Sequence, residues 1–326
     1  MKTSQANKTN KIDISIIAPL YNEEETVKFL YKAIMETVTK IDLVYEIIFV
    51  DDGSRDKTFN KAKKLALNNP KLRVIKFRKN YGQTPAMVAG IDHARGDILI
   101  TMDGDLQNDP ADIPSFIKKI NEGYDIVVGW RHKRQDKVIT RKIPSKIANW
   151  LIGKITGVPI KDNGCSLKAY RSKVIKNVPL YSEMHRFIPA MSSIAGARVA
   201  EIKVRHHARK YGTSKYGLSR IYKVLLDLIS IKSIISVSPR PIIGFGSIAL
   251  ISATIGLSVL VISVIQALFF SPPQSIVVVM GVILLFVVLS IFLLLSGILC
   301  ELIVKTGGIK FNQLSSLTAY KELFKN

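Results

Sequence analysis

Five short apolar runs punctuate the first half of the chain: ISIIAPL, YEIIFVDDG, LRVIKFRKN, DILITMDGD and YDIVVGWR. Their isoleucine, valine and phenylalanine content predicts buried strands. Between them, EEETVKFLYKAIMETVTKI and DKTFNKAKKLALNN carry apolar residues at helical spacing with polar faces. Strand and helix in alternation over residues 12 to 206 predict a mostly parallel, doubly wound α/β sheet with flanking helices. A ligand would then bind outside the C-terminal strand edge.

The pattern changes near the C-terminus. From Pro241 to Cys300 there is no Asp, Glu, Lys or Arg, a run longer than one core helix and suited to two membrane spans. The prolines of SPPQ, residues 271–274, break the run and predict spans over about 242–270 and 275–304. Just before it, Ser214 to Ser238 mixes apolar positions with Lys215, Arg220, Lys223 and Lys232, as helices lying on an anionic membrane surface do. Lys223, Lys232 and Arg240 precede the first span, and Lys305, Lys310 and Lys321 follow the second, so both ends are expected on the cytoplasmic side.

Composition agrees with that division. The 326 residues carry a net charge of +22, yet 48% are hydrophobic. A soluble basic protein seldom combines the two, whereas a membrane protein with a basic cytoplasmic face does. The Lys and Arg excess gathers near the membrane segment, which favours anionic lipid over nucleic acid as partner. Cys165 and Cys300 are far apart, against a disulfide framework or a cysteine zinc site. MKTSQANKTNKID has no apolar core of a signal peptide. The expected organisation is a disordered leader (1–11), a cytoplasmic catalytic domain (12–212), interfacial helices (213–240), two transmembrane helices (241–304) and a cytoplasmic tail (305–326).

Candidate chemistry lies where strands end. APLYNEEE and VDDGSRDKT both open from an apolar strand into polar residues and then a helix. Asp51 and Asp52 are suited to accept hydrogen bonds from a base or ribose, although Asp52 and Ser54 are equally suited to cap the following helix. In ILITMDGDLQNDP, Asp103 and Asp105 flank Gly104, and in an extended chain they point to one side. With the amide oxygen of Gln107 they form an oxygen-rich site for Mg²⁺ or Mn²⁺. His206 and His207 lack matching carboxylate spacing and are expected in solvated or packing roles.

APLYNEEE, DDGSRDKT, NYGQTPAMVAGIDHARGD, MDGDLQNDP and HHARKYGTSKY, in this order, resemble the glycosyltransferase family 2 enzymes that charge polyprenyl phosphates. Within that group, NYGQ, RQDKVITRKIPSKIAN and DNGCSLKAYR are most similar to the undecaprenyl-phosphate 4-deoxy-4-formamido-L-arabinose transferases. The resemblance implies a GT-A-like catalytic domain followed by a two-helix transmembrane hairpin. It implies an enzyme at the inner (plasma) membrane that passes one sugar from a nucleotide sugar to a polyprenyl phosphate with inversion. Position by position, Pro19, Tyr21, Glu23, Asp51 and Asp52 would hold the nucleoside. Asp103 would sit by the donor ribose and sugar, and Asp105 and Gln107 would ligate the metal. Arg131, Arg141, Ser145, Arg209 and Lys215 would meet the donor and acceptor phosphates, with Asp103, Asp105 and Arg209 carrying the catalytic burden. Gly104 departs from the usual alanine and would add flexibility beside the metal.

Rival readings are a processive polysaccharide synthase, which would carry a QxxRW motif and more spans, and an inactive sugar-nucleotide-binding membrane scaffold or a lipid-phosphate transporter. The hairpin surfaces would be able to support a homo-oligomer.

Overall fold

The computed structural model describes residues 11–132, 150, 152–154, 157–176, 187–194, 196–208, 240–269, 276–306 and 318–321. The chain divides into two compact units, one of Met1–Leu228 with Phe311–Asn326 and one of Ile229–Lys310.

In the first unit the five apolar runs form β1 (Ile14–Leu20), β2 (Tyr45–Asp51), β3 (Leu72–Phe77), β4 (Ile98–Thr101) and β5 (Ile126–Trp130). Helices α1 (Val27–Val38), α2 (Thr58–Leu67), α3 (Gln83–His93) and α4 (Ile113–Asn121) follow the first four strands in turn. Beyond β5 come β6 (Lys168–Arg171), the short helices α5 (Ser172–Ile175) and α6 (Ile188–Ile194), and β7 (Val199–Lys203). With β8 (Thr318–Lys321) they complete an eight-stranded sheet in the order β7-β5-β6-β4-β1-β2-β3-β8. β1 pairs in parallel with β2 and β4, β2 with β3, and β5 with β7, while β6 and β8 run antiparallel to their neighbours. The loops after β1 to β5 and after β7 therefore leave at one edge, and β6 begins there.

Both faces of the central strands are covered, as parallel strands require. Ile14, Ile16, Ala18 and Leu20 pack with Leu30 and Ile34 of α1 and Phe116 and Ile120 of α4. Ile17, on the other face of β1, lies so close to α3 that a Cβ on Gly90 would come within 2.3 Å of it. At the edge opposite the loops, the buried Glu46 gathers β1, β2 and β3. It accepts from Ser15 Oγ (2.7 Å), Arg73 Nη1 (2.8 Å), Arg95 N (2.6 Å) and Arg95 Nη2 (3.1 Å). Burial works to raise the Glu46 pKa, but these donors outweigh it and hold the carboxyl below its ordinary value.

The second unit is a hairpin of α7 (Pro241–Phe269) and α8 (Ile276–Thr306), both long and apolar enough to cross a membrane. Small residues bring the helices close: a Cβ on Gly297 would lie 2.9 Å from Phe245 Cβ. Ser252 Oγ donates to Phe286 O (3.1 Å) and Ser290 Oγ to Ala249 O (2.9 Å). Glu301 accepts from Ile242 N–H (3.2 Å) at the start of α7. Large side chains such as Leu250, Ile262, Leu285 and Phe292 face outward, an apolar surface suited to lipid. The predicted spans thus begin and end within two residues of the helices. Apart from Lys11 and Arg240, the expected leader and interfacial helices lie outside the described residues, as does the SPPQ turn.

A candidate active site at the C-terminal strand edge

The loops after β1 and β2 clasp one another. Asn22 N–H donates to Ser54 Oγ (2.9 Å), Arg55 N–H to Asn22 Oδ1 (2.9 Å), Glu23 N–H to Thr58 Oγ1 (2.7 Å) and Glu24 N–H to Asp56 Oδ2 (3.2 Å). Asn22 meets this geometry with a left-handed φ of +51°. Pro19, Tyr21 and Glu23 are thereby fixed beside Asp51 and Asp52, and the Glu23 carboxylate receives the Thr26 hydroxyl (2.9 Å).

The two neighbouring aspartates differ in state. Asp51 is fully buried, and neither carboxylate oxygen has a hydrogen-bond partner of good geometry among the described residues. Burial raises its pKa, and Ser54 and Lys76 offset that only in part. Asp52 is instead saturated: Asn80 Nδ2 (2.8 Å) and Gly82 N–H (2.9 Å) donate to Oδ2, and Tyr81 N–H (2.7 Å) to Oδ1. It therefore ties down the start of α3 rather than capping α2, as its sequence neighbourhood had suggested. Burial and the nearby Asp51 push its pKa up to about 6, against the pull of the Tyr81 and Gly82 amides. Gly53 (φ +67°) makes this possible, since a Cβ there would lie 2.3 Å from the Lys79 carbonyl carbon.

The acidic loop is not extended. β4 stops at Thr101, and the chain turns through Gly104 to Leu106, which takes a left-handed φ of +63°. Asp103 and Asp105 therefore flank a turn rather than alternate along a strand. Gln83 Nε2 donates to Asp103 Oδ1 (2.6 Å), and Gln107 N–H to Asp105 Oδ1 (3.1 Å). The buried Asn108 accepts from Ser166 Oγ (2.7 Å) and Asp103 N–H (3.3 Å). Gly104 serves close approach: a Cβ there would lie 2.6 Å from Leu20 Cδ2 and 3.1 Å from Pro19 O. The acidic loop thus rests directly on the end of β1.

Arg131, expected at a phosphate, is held by Asp162 through Nε (2.7 Å) and Nη2 (2.8 Å), with side chains 13% and 7% exposed. Burial disfavours its charge, but the Asp162 hydrogen bonds and charge raise its pKa well above the usual guanidinium value, and Asp103 adds to the effect. Glu201 of β7 supports the same loop by accepting from Lys161 N–H (2.7 Å) and Asp162 N–H (3.2 Å). Next to the pair, burial pushes the Cys165 thiol up to about 12, so it stays a neutral packing group.

The structure therefore brings Pro19, Tyr21, Glu23, Asp51, Asp52, Asp103, Asp105, Gln107 and Arg131 to one sheet edge. Arg141, Ser145, Arg209 and Lys215 lie outside the described residues. Asn80, Gln83 and Asn108 also shape the site and were not singled out from sequence, whereas Asp162, weighed there only as a group orienting the sugar or nucleophile, instead holds Arg131. The only signal of those three was membership in the motifs NYGQ and LQNDP.

No group of three or more His, Cys, Asp or Glu side chains placed to enclose a metal ion occurs among the described residues. The donor set of Asp105 and Gln107 fits a hard cation that takes its remaining oxygens from substrate phosphates and water, the usual arrangement for Mg²⁺.

Comparison with known proteins agrees with this architecture. The profile of Glycosyl transferase family 2 matches residues 15–178. Dodecaprenyl-phosphate galacturonate synthase of Rhizobium johnstonii is 42% identical over 90% of this chain and 88% of its own. Undecaprenyl-phosphate 4-deoxy-4-formamido-L-arabinose transferase of Edwardsiella ictaluri is 36% identical over 86% and 84%. Among solved structures, glucosyl-3-phosphoglycerate synthase of Mycobacterium tuberculosis shares the fold with a TM-score of 0.52 at 18% identity, covering 68% of this chain and 78% of that one, and was crystallised with Mn²⁺, uridine diphosphate and phosphoglyceric acid. Motif order, sheet topology and these relatives together place the chain in glycosyltransferase family 2.

Proposed function

We propose that the protein transfers one sugar from a nucleotide sugar, a UDP-sugar, to a polyprenyl phosphate such as undecaprenyl phosphate, giving a lipid-linked sugar for cell-envelope glycan or lipid modification. One observation carries the reading: a single chain combines an acid-lined sheet edge of the family 2 type with two helices long and apolar enough to cross a membrane. The names of the relatives, a dodecaprenyl-phosphate synthase and undecaprenyl-phosphate transferases, support the same acceptor class. In this reading the protein is a multi-pass protein of the plasma (inner) membrane with its catalytic unit on the cytoplasmic side, where basic residues flank both helices.

The residues divide the work. Asp51, buried and without a hydrogen bond of good geometry among the described residues, is matched to donors on the nucleoside, which would lower the cost of its burial. Pro19, Tyr21 and Glu23 line the clasped loop beside it, and Asp52 shapes the pocket by fixing residues 80–82. Asp103, oriented by Gln83, faces the donor ribose and sugar. Mg²⁺ or Mn²⁺ held by Asp105 and Gln107 would supply neutralisation of the leaving diphosphate. Arg131, already paired, contributes an oriented positive edge rather than a free cation. Direct contact with the acceptor phosphate falls to Arg141, Ser145, Arg209 and Lys215.

A phosphate monoester has a second pKa of about 6 and is largely dianionic in the cytosol, so its nucleophilic oxygen needs no strong general base. In-line displacement at the anomeric carbon inverts configuration and releases the nucleoside diphosphate. Incubating the full-length protein in detergent with undecaprenyl phosphate and a panel of UDP- and GDP-sugars, followed by lipid mass spectrometry, tests the assignment. A phosphoprenol carrying one sugar from a UDP donor is expected; no lipid product with any donor would overturn the reading.

A further inference from the structure

The acidic loop carries more carboxylates than a metal site of this kind uses. Asp103 and Asp105 are placed as described, but Asp109 and Asp112 are taken up by a segment from the far end of the sheet. Beyond β7, Arg205 donates from Nε (2.9 Å) and, as an ion pair, from Nη2 (2.8 Å) to Asp112 Oδ1, while its backbone N–H reaches Asp112 Oδ2 (2.8 Å). Arg205 Nη1 also lies 3.4 Å from Asp109 Oδ2, which His207 Nε2 approaches to 3.1 Å. The other oxygen, Asp109 Oδ1, accepts from Ala111 N–H (2.9 Å). Between these side-chain ties the backbones join: His207 N–H donates to Gln107 O (2.9 Å), and Asn108 forms an antiparallel bridge with His206.

The residues gripped are Gln107 and Asn108, and the residue before them is Leu106 with its φ of +63°. A leucine holds that conformation only where its surroundings over-determine it. Asn108, fixed on one side by Ser166 and on the other by the bridge to His206, supplies one restraint. The Arg205 segment supplies the other. Ion pairs as exposed as Arg205, at 54%, add little to global stability. Their effect here is local.

We propose that Arg205 and Asp112, assisted by Asp109 and His207, are positioning residues that clamp the Leu106–Asn108 turn and so hold Asp105 and Gln107 in the orientation that receives a divalent cation with the donor diphosphate. The proposal rests on the functional reading above, since it assumes that this turn binds a metal–diphosphate complex.

The test uses the full-length protein in detergent with Mn²⁺ and UDP as probes, read by calorimetric titration, by amide hydrogen exchange at residues 105–108 and by thermal melting. Arg205→Gln and Asp112→Asn should each weaken Mn²⁺-dependent UDP binding by about 10- to 100-fold, the range typical of losing a group that orients a metal ligand. Exchange at Gln107 and Asn108 should quicken while the melting temperature stays within about 2 °C of wild type, and Arg205→Lys should recover part of the affinity. Arg205→Gln binding Mn²⁺ and UDP with wild-type affinity and unchanged exchange would overturn the clamp alone. A wild-type protein that binds UDP no better with Mn²⁺ than without would overturn the functional reading, and the clamp with it.

Discussion

Asp162→Ala isolates the buried ion pair beneath the site. Arg131 makes hydrogen bonds to Asp162 from Nε (2.7 Å) and Nη2 (2.8 Å) and a longer one from its backbone N–H (3.3 Å). Truncating Asp162 leaves a guanidinium whose side chain is only 13% exposed without its carboxylate. Removing one partner of a buried pair costs about 3–5 kcal/mol, chiefly from the stranded charge. Asp103 offers a weaker alternative partner nearby, which places the expectation at the lower end, about 3 kcal/mol. For a unit of this size that corresponds to a melting temperature lower by roughly 6–12 °C. The assay is thermal unfolding of the full-length protein in detergent, followed by tryptophan fluorescence, because Trp130 adjoins Arg131. The double variant Asp162→Ala/Arg131→Met should regain at least ~1 kcal/mol over Asp162→Ala, since it removes the stranded charge. Additive losses, or a single-variant loss below ~1 kcal/mol, would refute the view that Arg131 is held by Asp162 and point back to a free phosphate-binding cation.

Three further outcomes follow from the same geometry. Asp105→Asn should lower kcat/KM by at least ~100-fold with little change in melting, measured as divalent-dependent transfer; retained transfer would remove Asp105 from the metal site. Glu46→Gln, at a carboxylate buried among Ser15, Arg73 and Arg95, should destabilise by about 3–5 kcal/mol without altering KM; because the Glu46 pKa is lowered, its contribution is full above the ordinary glutamate range and is lost as pH falls through the lower folded value. Asp52 has the opposite sign: with its pKa raised from 3.8 to about 6, the folded chain holds a proton that the unfolded chain lacks between those values, so its contribution to stability declines by up to ~3 kcal/mol as pH rises from about 4 to about 6 and is level above. Melting curves of wild type and Asp52→Asn across that range should converge or diverge accordingly, and parallel curves would contradict the assignment.

What the sequence disclosed and what it concealed have physical reasons. β1 and β2 were legible because strands covered on both faces read as unbroken apolar runs, and α7 and α8 because an uncharged apolar run of that length reads as helices long enough to cross a membrane. β6 and β7, KAYR and VAEIK, are short and mixed, so no local period announces them; their pairing with β4 and β5 makes them strands. The acidic residues of the site were readable as residues but not by role. Asp52 and Asp162 carry the same residue type as Asp51, yet one is saturated by residues 80–82 and the other by Arg131, partners about thirty positions away. The turn at Gly104 was hidden for a related reason, since Leu106 takes a left-handed φ that only tertiary restraint imposes.

The most direct test is the product itself. Membranes or nanodiscs carrying the full-length protein, supplied with undecaprenyl phosphate, a competent nucleotide sugar and Mn²⁺, should yield one lipid mass corresponding to a single added sugar, constant over time and abolished by EDTA. A ladder of growing glycan masses, or an undiminished product in EDTA, would contradict the account.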